Sequence, residues 1–347
     1  MIENTRLKRK KKRKMRIFRI IALLMAFLVI GTVSFFAYEI FYSTQKASKS
    51  IYQQLDADKT APDVQITKDP FTVLLVGIEN QGGGERSDVL MLATVNPKTE
   101  KIYMLSIPRD TRLYIDEVGY KTKITHSYGH GGIETTIKAV QSLIDVPIDY
   151  YISTNFDGFE DVVDTLNGVK VDVPFTFKAQ LTGSLKWKTY YKGEMDLNGN
   201  EALAYVRMRK TDPNGDHGRN ERQQQVIKAI IDKGTSFTSI TKIDNLIDDM
   251  GKNVKTNIPP SKFASFVKLY SKLKNAPIQN LKIAGSDQTI NNGSYFIPDE
   301  DSLAELTTLL SQARNGGTGD SSSLAGTSSA NSAAASGLDD DGQNWND

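Results

Sequence analysis

Apolar residues are distributed along this chain in three ways. From Phe71 onward many come in short unbroken runs: "FTVLLVGI" (71–78), "VLMLATVN" (89–96), "KIYMLSIP" (101–108), "IDYYISTNF" (148–156) and "GVKVDVPF" (168–175). Runs of this length and β-branched content predict strands buried on both faces. Between them, "GGIETTIKAVQSLI" (131–144) and "FDGFEDVVDTLNG" (156–168) space their apolar positions by three and four, predicting helices, the second ending at Gly168. Alternating strands and helices predict a layered α/β domain with helices on both sheet faces, a three-layer α/β/α architecture. Val89–Asn96 and Lys101–Pro108, joined by "PKTE", predict a hairpin and therefore a central mixed sheet.

Further along, "LNGNEALAYV" offers Asn198 as an N-cap with Glu201 three residues on, a capping-box variant whose helix delivers the chain to Arg207. A second helix is expected from near Gly218 through "RNERQQQVIKAIIDK" to Gly234. Two more amphipathic helices ("KFASFVKLYSKL", "DSLAELTTLLSQA") and a strand ("IQNLKIAG") follow.

The third distribution is one long stretch, Ile20 to Tyr38, nineteen residues without a charge. At 1.5 Å rise per residue it spans roughly the 30 Å hydrocarbon core of a bilayer. Residues 1–19 hold ten Lys and Arg, unbroken from Lys8 to Lys14, against the single acid Glu3. The exit sequence "FFAYEIFYS" has no small-x-small cleavage site, so residues 20–41 are expected to be an uncleaved transmembrane signal anchor. The positive-inside bias keeps 1–19 in the cytoplasm and the rest outside, a single-pass membrane protein. Beside a spanning helix the basic run is read as a topology signal and an anionic-lipid contact, with no nucleic acid partner. Residues 42–69 are a polar stalk, 70–313 a folded domain, and 314–347 a Gly/Ser/Ala/Asp tail unable to bury enough apolar surface to order itself. The net charge of +2 therefore hides a division, because beyond residue 19 there are 33 basic and 40 acidic residues. With no cysteine there is neither a disulfide framework nor a thiolate ligand set.

Candidate chemistry concentrates in three places. "YVRMRKTDPNGDHGRNERQQQ" (205–225) carries Arg207, Arg209, Lys210, Arg219 and Arg222. On the helix from Gly218, the stripe Arg219, Arg222/Gln223, Val226, Ile230 aims guanidiniums toward the body, and arginines near a helix N-terminus match phosphate oxygens. Arg207 and Arg209 share a face where the chain is extended. The competing reading is a solvated surface with arginines satisfied by Asp212, Asp216 or Glu221. "GIENQGGGERSDVLM" follows the first strand; its glycines are similar to a phosphate-cradling loop, but no Gly-Lys-Ser/Thr follows, which argues against a nucleoside triphosphatase. Glu79 and Asp88, flanking Arg86, offer hard oxygens suited to Mg²⁺, the alternative being an Asp88–Arg86 pair. In "SIPRDTRLYI", Pro108 ends a strand and turns Arg109 and Asp110 out of the sheet. Lys123 is a candidate for meeting a phosphate; His126 and His130 lack a third metal ligand. No Ser-His-Asp order or GxSxG elbow supports acyl transfer.

Taken in order behind the anchor, "RSDVLMLATVNPKTEKIYMLSIPRDT", "PIDYYISTNFDGFEDVVDTLNGVKVDVP", "LNGNEALAYVRMRK" and "DHGRNERQQQVI" closely resemble the LytR-CpsA-Psr family of bacterial cell-wall enzymes. The resemblance implies an α/β/α fold with an apolar pocket for a polyprenyl chain. It also implies Mg²⁺-assisted (or Mn²⁺-assisted) transfer of a phosphate-linked glycopolymer, teichoic acid or capsular polysaccharide, from a polyprenyl-pyrophosphate carrier to peptidoglycan. Asp88 then matches the metal-binding aspartate, and Arg86, Arg109, Arg207, Arg209, Arg219 and Gln223 match residues holding the pyrophosphate, with Arg222 in the same block. Arg86, Asp88, Arg109 and Asp110 are the catalytic candidates, Asp88 or Asp110 orienting or deprotonating the acceptor hydroxyl. Where the family often has "GID" this chain reads "GIE", so Glu79 stands at a second metal-ligand position with a longer side chain. Two rival functions remain open: a membrane-anchored polyprenyl-phosphate-binding regulator without turnover, and a pyrophosphatase acting on the lipid-linked substrate.

Overall fold

The computed structural model of the chain describes residues 51–56, 58, 63–79, 84–209, 211–236, 253–273 and 276–316. The basic segment 1–19, the expected anchor 20–41, the start of the stalk, the glycines 82 and 83, Lys210 and the tail beyond Gly316 lie outside them. Among the described residues no helix is long and apolar enough to cross a membrane.

In chain order the elements begin with strands β1 (Phe71–Glu79), β2 (Arg86–Asn96), β3 (Lys101–Ile107), β4 (Arg112–Ile115) and β5 (Tyr120–Lys123), then helix α1 (His126–Ile144). Next come β6 (Tyr150–Asn155), α2 (Phe156–Thr165), β7 (Val169–Val173), β8 (Phe177–Gln180), β9 (Trp187–Tyr190) and β10 (Gly193–Leu197). They are followed by α3 (Gly199–Arg207), α4 (Gly215–Ser236), β11 (Val254–Thr256) and α5 (Phe263–Leu273). The last are β12 (Ile278–Lys282), β13 (Gly285–Ile290), β14 (Gly293–Pro298) and α6 (Glu300–Arg314). The fold is mixed α/β with a central mixed sheet, and it divides into two compact units.

One unit contains residues 63–76, 84–150 and 276–316 of the described chain. Its strands lie in the order β1-β2-β3-β12, with β2 antiparallel to β3 from Leu90↔Ile107 to Asn96↔Lys101 and β12 parallel to β3. The β2–β3 turn is set by the fully buried Asn96: its Oδ1 accepts from the backbone N–H of Lys98 (2.9 Å) and Thr99 (3.2 Å), while its Nδ2 donates to the Ala313 carbonyl at 2.7 Å. Met91, Leu92, Tyr103 and Leu105 fill the strands' buried faces, each removal from water contributing about 2 kcal/mol. Helices α1 and α6 pack on β2 and on each other. Helix α1 starts at His126, five residues before the expected Gly131; the break in its φ/ψ at Gly131 and Gly132 disguises the first turn in the sequence pattern. At the other end of α6, Arg314 pairs with Asp149 and donates to Thr72 Oγ1 at 2.9 Å, fastening the C-terminal helix to the start of β1.

The second unit contains residues 51–56, 58, 77–79, 151–209, 211–236 and 253–273 of the described chain. Here β6 pairs antiparallel with β11, and β7 pairs antiparallel with β10 from Val169↔Leu197 to Val173↔Gly193. The expectation that β7 is buried on both faces is overturned. Val169, Val171 and Val173 are buried while Lys170 and Asp172 are exposed, the alternation of a two-stranded ladder with one face on a core. That core includes Phe177, Tyr190 and Tyr205, whose rings stack with centroids 4.8 and 5.8 Å from Phe177. Helix α3 has the expected cap: Asn198 Oδ1 accepts from the Glu201 N–H at 2.9 Å and Glu201 Oε2 from the Asn198 N–H at 3.3 Å.

Candidate active site

In the first unit the strand ends gather alternating charge. Ser87, fully buried, donates through its N–H to the Thr125 carbonyl at 3.3 Å and fixes the start of β2, with Arg86 exposed on one side and Asp88 half-buried on the other. Beyond β3, the turn Pro108–Thr111 closes on itself through the Thr111 N–H and hydroxyl, both donating to the Pro108 carbonyl. This turn projects Arg109 back over β2, where Nη1 donates to Asp88 Oδ2 at 3.0 Å. Asp110 is gripped from two sides, Oδ2 lying 3.7 Å from Arg109 Nε and Oδ1 2.6 Å from Lys123 Nζ. The order Asp88, Arg109, Asp110, Lys123 is thus a continuous chain of ion pairs. Their side chains are 19 to 29% exposed, so they are neither sealed in the core nor loose on the surface.

Tyr295 supports this chain from β14. Its ring centroid lies 5.6 Å from Lys123 Nζ and 5.8 Å from the Arg112 guanidinium carbon. The backbone beside it is tied down, the Phe296 N–H donating to the Asp110 carbonyl at 2.9 Å. Nothing in the sequence joins Tyr295 to residues some 170 positions earlier; only the fold does. His126 bonds through Nδ1 with Thr122 Oγ1 at 2.7 Å. Its pKa is pushed below the ordinary 6.5, first by burial and then by Arg86, Lys123 and His130, with Asp110 opposing. It is therefore a neutral imidazole at pH 7.

The second unit holds the remaining candidates. Arg207, the last residue of α3, lies with Nη2 3.6 Å from Glu79 Oε1, its guanidinium 4.3 Å from the Phe156 ring centroid and its Nη1 3.4 Å from Thr182 Oγ1. Arg209 is exposed two residues on, with Met208 buried between, as expected of an extended chain. Arg219 and Gln223 lie one turn apart on α4, both half-buried.

Arg222 requires a correction. It is 2% exposed and serves the interior: Nη1 pairs with Asp212, Nη2 donates to the Met208 carbonyl, and Nε donates to the Tyr205 carbonyl at 3.1 Å. Its guanidinium also lies 5.6 Å from the Phe177 ring centroid. Neither the expected phosphate contact nor the solvated surface describes it, because its donors satisfy backbone and carboxylate oxygens that would otherwise be buried unpaired. Gly218 makes this possible: a Cβ there would collide with the Asp212 carboxylate.

Among the described residues no group of three or more His, Asp and Glu could hold a metal ion. Mg²⁺ asks for less, taking one or two carboxylates and completing its shell from water and substrate phosphate. Asp88 fits that requirement, since Arg109 engages one carboxylate oxygen and the group is part-exposed. Glu79 fits it less well, since its carboxylate faces Arg207.

Fold and side-chain chemistry together define a mixed α/β protein whose strand and helix ends carry arginine–carboxylate clusters suited to anionic substrates. The chain belongs to the LytR_cpsA_psr family, whose family model matches residues 37–312. It is 41% identical over 312 residues to the polyisoprenyl-teichoic acid–peptidoglycan teichoic acid transferase TagU of Bacillus licheniformis, covering 89% of this chain and 98% of that protein. The crystal structure of Bacillus subtilis TagV matches with a TM-score of 0.64 at 41% identity, over 72% of this chain and 98% of that one. A structure of TagT bound to LI-WTA matches with a TM-score of 0.61 at 34% identity, over 74% of this chain and 95% of that one.

Proposed function

We propose that the protein is a transferase that moves a phosphate-linked teichoic acid from a polyisoprenyl-pyrophosphate carrier to peptidoglycan. The observation that carries this is the ion-pair chain Asp88–Arg109–Asp110–Lys123, together with the teichoic acid transferase activity named for relatives about 40% identical over nearly their whole length. In this reading the described domain is a three-layer α/β/α body outside the membrane, held there by residues 20–41.

Phosphoryl transfer asks a protein mainly to position reactants and to neutralise charge developing on phosphate oxygens. Arg86 and Arg109 in the first unit are forked donors suited to such oxygens, and Arg207, Arg209, Arg219 and Gln223 in the second unit offer the same guanidinium and amide chemistry. Asp110, with an oxygen on each of two cations, orients Arg109 and Lys123 and is a positioning residue. Asp88 exchanges its contact with Arg109 for the acceptor hydroxyl or for the cation. When bound at Asp88, Mg²⁺ or Mn²⁺ would add a further positive charge beside the phosphate.

The test uses the full chain reconstituted in bilayers with a lipid-pyrophosphate-linked glycopolymer, peptidoglycan and Mg²⁺. Wild type should yield peptidoglycan-linked polymer, and Arg109→Ala and Asp88→Ala should lower the rate about 10²- to 10³-fold, as expected for loss of a group acting on transition-state charge. Equal product from all three proteins would remove the catalytic assignment. Free sugar phosphate without linked polymer would make the protein a pyrophosphatase, and bound lipid without any product a regulator.

A further inference from the structure

The β8–β9 hairpin displays apolar side chains that the fold leaves uncovered. Leu185 is 90% exposed, Trp187 65% and Tyr191 64%, whereas Phe177, Ala179 and Tyr190 of the same hairpin are buried in the core. The tip is not a slack loop. The Leu181 N–H donates to the Lys186 carbonyl at 2.9 Å, Gln180 Nε2 to the Ser184 carbonyl at 2.9 Å, and the Lys186 N–H to Ser184 Oγ at 3.0 Å. An ordered tip that holds a leucine and a tryptophan in water is a candidate contact surface.

Charge narrows the partner. Residues 176–192, "TFKAQLTGSLKWKTYYK", contain four lysines and no acid, in a chain whose residues beyond 19 are acidic on balance. Lys188 is taken up by Glu201 at 2.7 Å, but Lys178, Lys186 and Lys192 are exposed. Aromatic and aliphatic side chains among lysines are the composition that settles at a bilayer interface, rings and leucine at the acyl boundary and ammonium groups at anionic headgroups. Position agrees with this chemistry. Thr182, three residues before Leu185, accepts from Arg207 at 3.4 Å, and its carbonyl accepts from Asn200 at 3.1 Å, so the loop adjoins one of the arginines assigned to the carrier's pyrophosphate.

We infer that the β8–β9 hairpin is a second membrane contact, seating Leu185 and Trp187 in the interface of an anionic bilayer while its lysines meet lipid phosphate. The inference rests on the reading of this chain as membrane-anchored. It explains how a folded body on a stalk would bring Arg207 to the depth of a headgroup.

The chain has two tryptophans, Trp187 and Trp345, so Trp345→Phe leaves Trp187 as the sole reporter. The full-length variant is placed in nanodiscs of anionic or zwitterionic lipid carrying acyl-chain bromines near the headgroup. In anionic discs Trp187 emission should shift to the blue and be quenched, and Lys178→Glu with Lys186→Glu should weaken the docked population by about fivefold or more per lysine. Retention in the disc with a water-like, unquenched Trp187 overturns the inference alone. Failure to be retained overturns the anchored reading and the inference with it. Equal quenching in zwitterionic discs overturns the anionic-lipid assignment. Shielding from aqueous iodide without bromolipid quenching would mean that a protein surface, such as a second copy, covers the hairpin, and also overturns it.

Discussion

Glu79, at the end of β1, lies with its carboxylate 3.6 Å from the Arg207 guanidinium. A part-exposed ion pair of that length stabilises the fold by about 0 to 1 kcal/mol, so its weight falls on the ligand-binding step. A phosphate oxygen arriving at Arg207 has to compete with the Glu79 carboxylate. Glu79→Gln is therefore expected to lower KM for the lipid-linked substrate a few-fold, with the Tm nearly unchanged. It should also leave unshifted the Mg²⁺ concentration that half-saturates binding, measured by calorimetry. A large rise in that concentration would return Glu79 to the metal. "GIE" drew attention to this position in the sequence, but its partner was not legible there, because Arg207 lies 128 residues away at the far end of α3.

At the scale of elements, the α3–α4 connection is organised by one buried pair. Arg222 on α4 reaches the carbonyls of Tyr205 and Met208, at and just beyond the end of α3, and the carboxylate of Asp212 in the loop between them. Removing one partner strands the other charge in the interior, a loss of about 3 to 5 kcal/mol. Asp212→Ala is expected to lower the Tm of the full chain by about 10 °C, and Gly218→Ala to act in the same direction by displacing the carboxylate. A thermal melt unchanged in Asp212→Ala would overturn this structural role. The sequence pattern located both helices and the cap, but it could not distinguish an arginine aimed at a ligand from one that holds two helices together: each lies on the inward face of the same helix. His126, at the start of α1, gives a pH dependence. Its folded pKa lies below the ordinary 6.5, so as pH falls from that value the unfolded chain takes up a proton the fold resists, and stability declines. Arg86, Lys123 and His130 oppose the charge and Asp110 favours it. The Tm should fall between pH 7.5 and 5.5, and less steeply in His126→Gln.

For the whole molecule, β1, β2, β3, β6, β7, β12 and the six helices were readable because strands and amphipathic helices leave different spacings, whereas β10 and β11 were not. The hairpins β4–β5, β8–β9 and β13–β14 were not either, since their short, half-polar strands obey neither rule, and they contribute Lys123, Thr182 and Tyr295 respectively to the charged surroundings described above. Charge distribution makes a separate demand. Ten Lys and Arg precede the uncharged stretch Ile20–Tyr38, whereas acids outnumber bases beyond residue 19. Positive charge is retained on the cytoplasmic side of a spanning segment, so the run Lys8–Lys14 should determine which way the chain crosses. Replacing these seven residues with glutamine or serine leaves the apolar stretch intact, hence insertion should persist while orientation becomes mixed. In cells stripped of their wall, external protease should digest the body of the wild-type protein completely and leave a protected, full-length fraction of the variant. Full protection of the wild type would place the body in the cytoplasm, away from peptidoglycan, and would remove the proposed transfer reaction together with the topology.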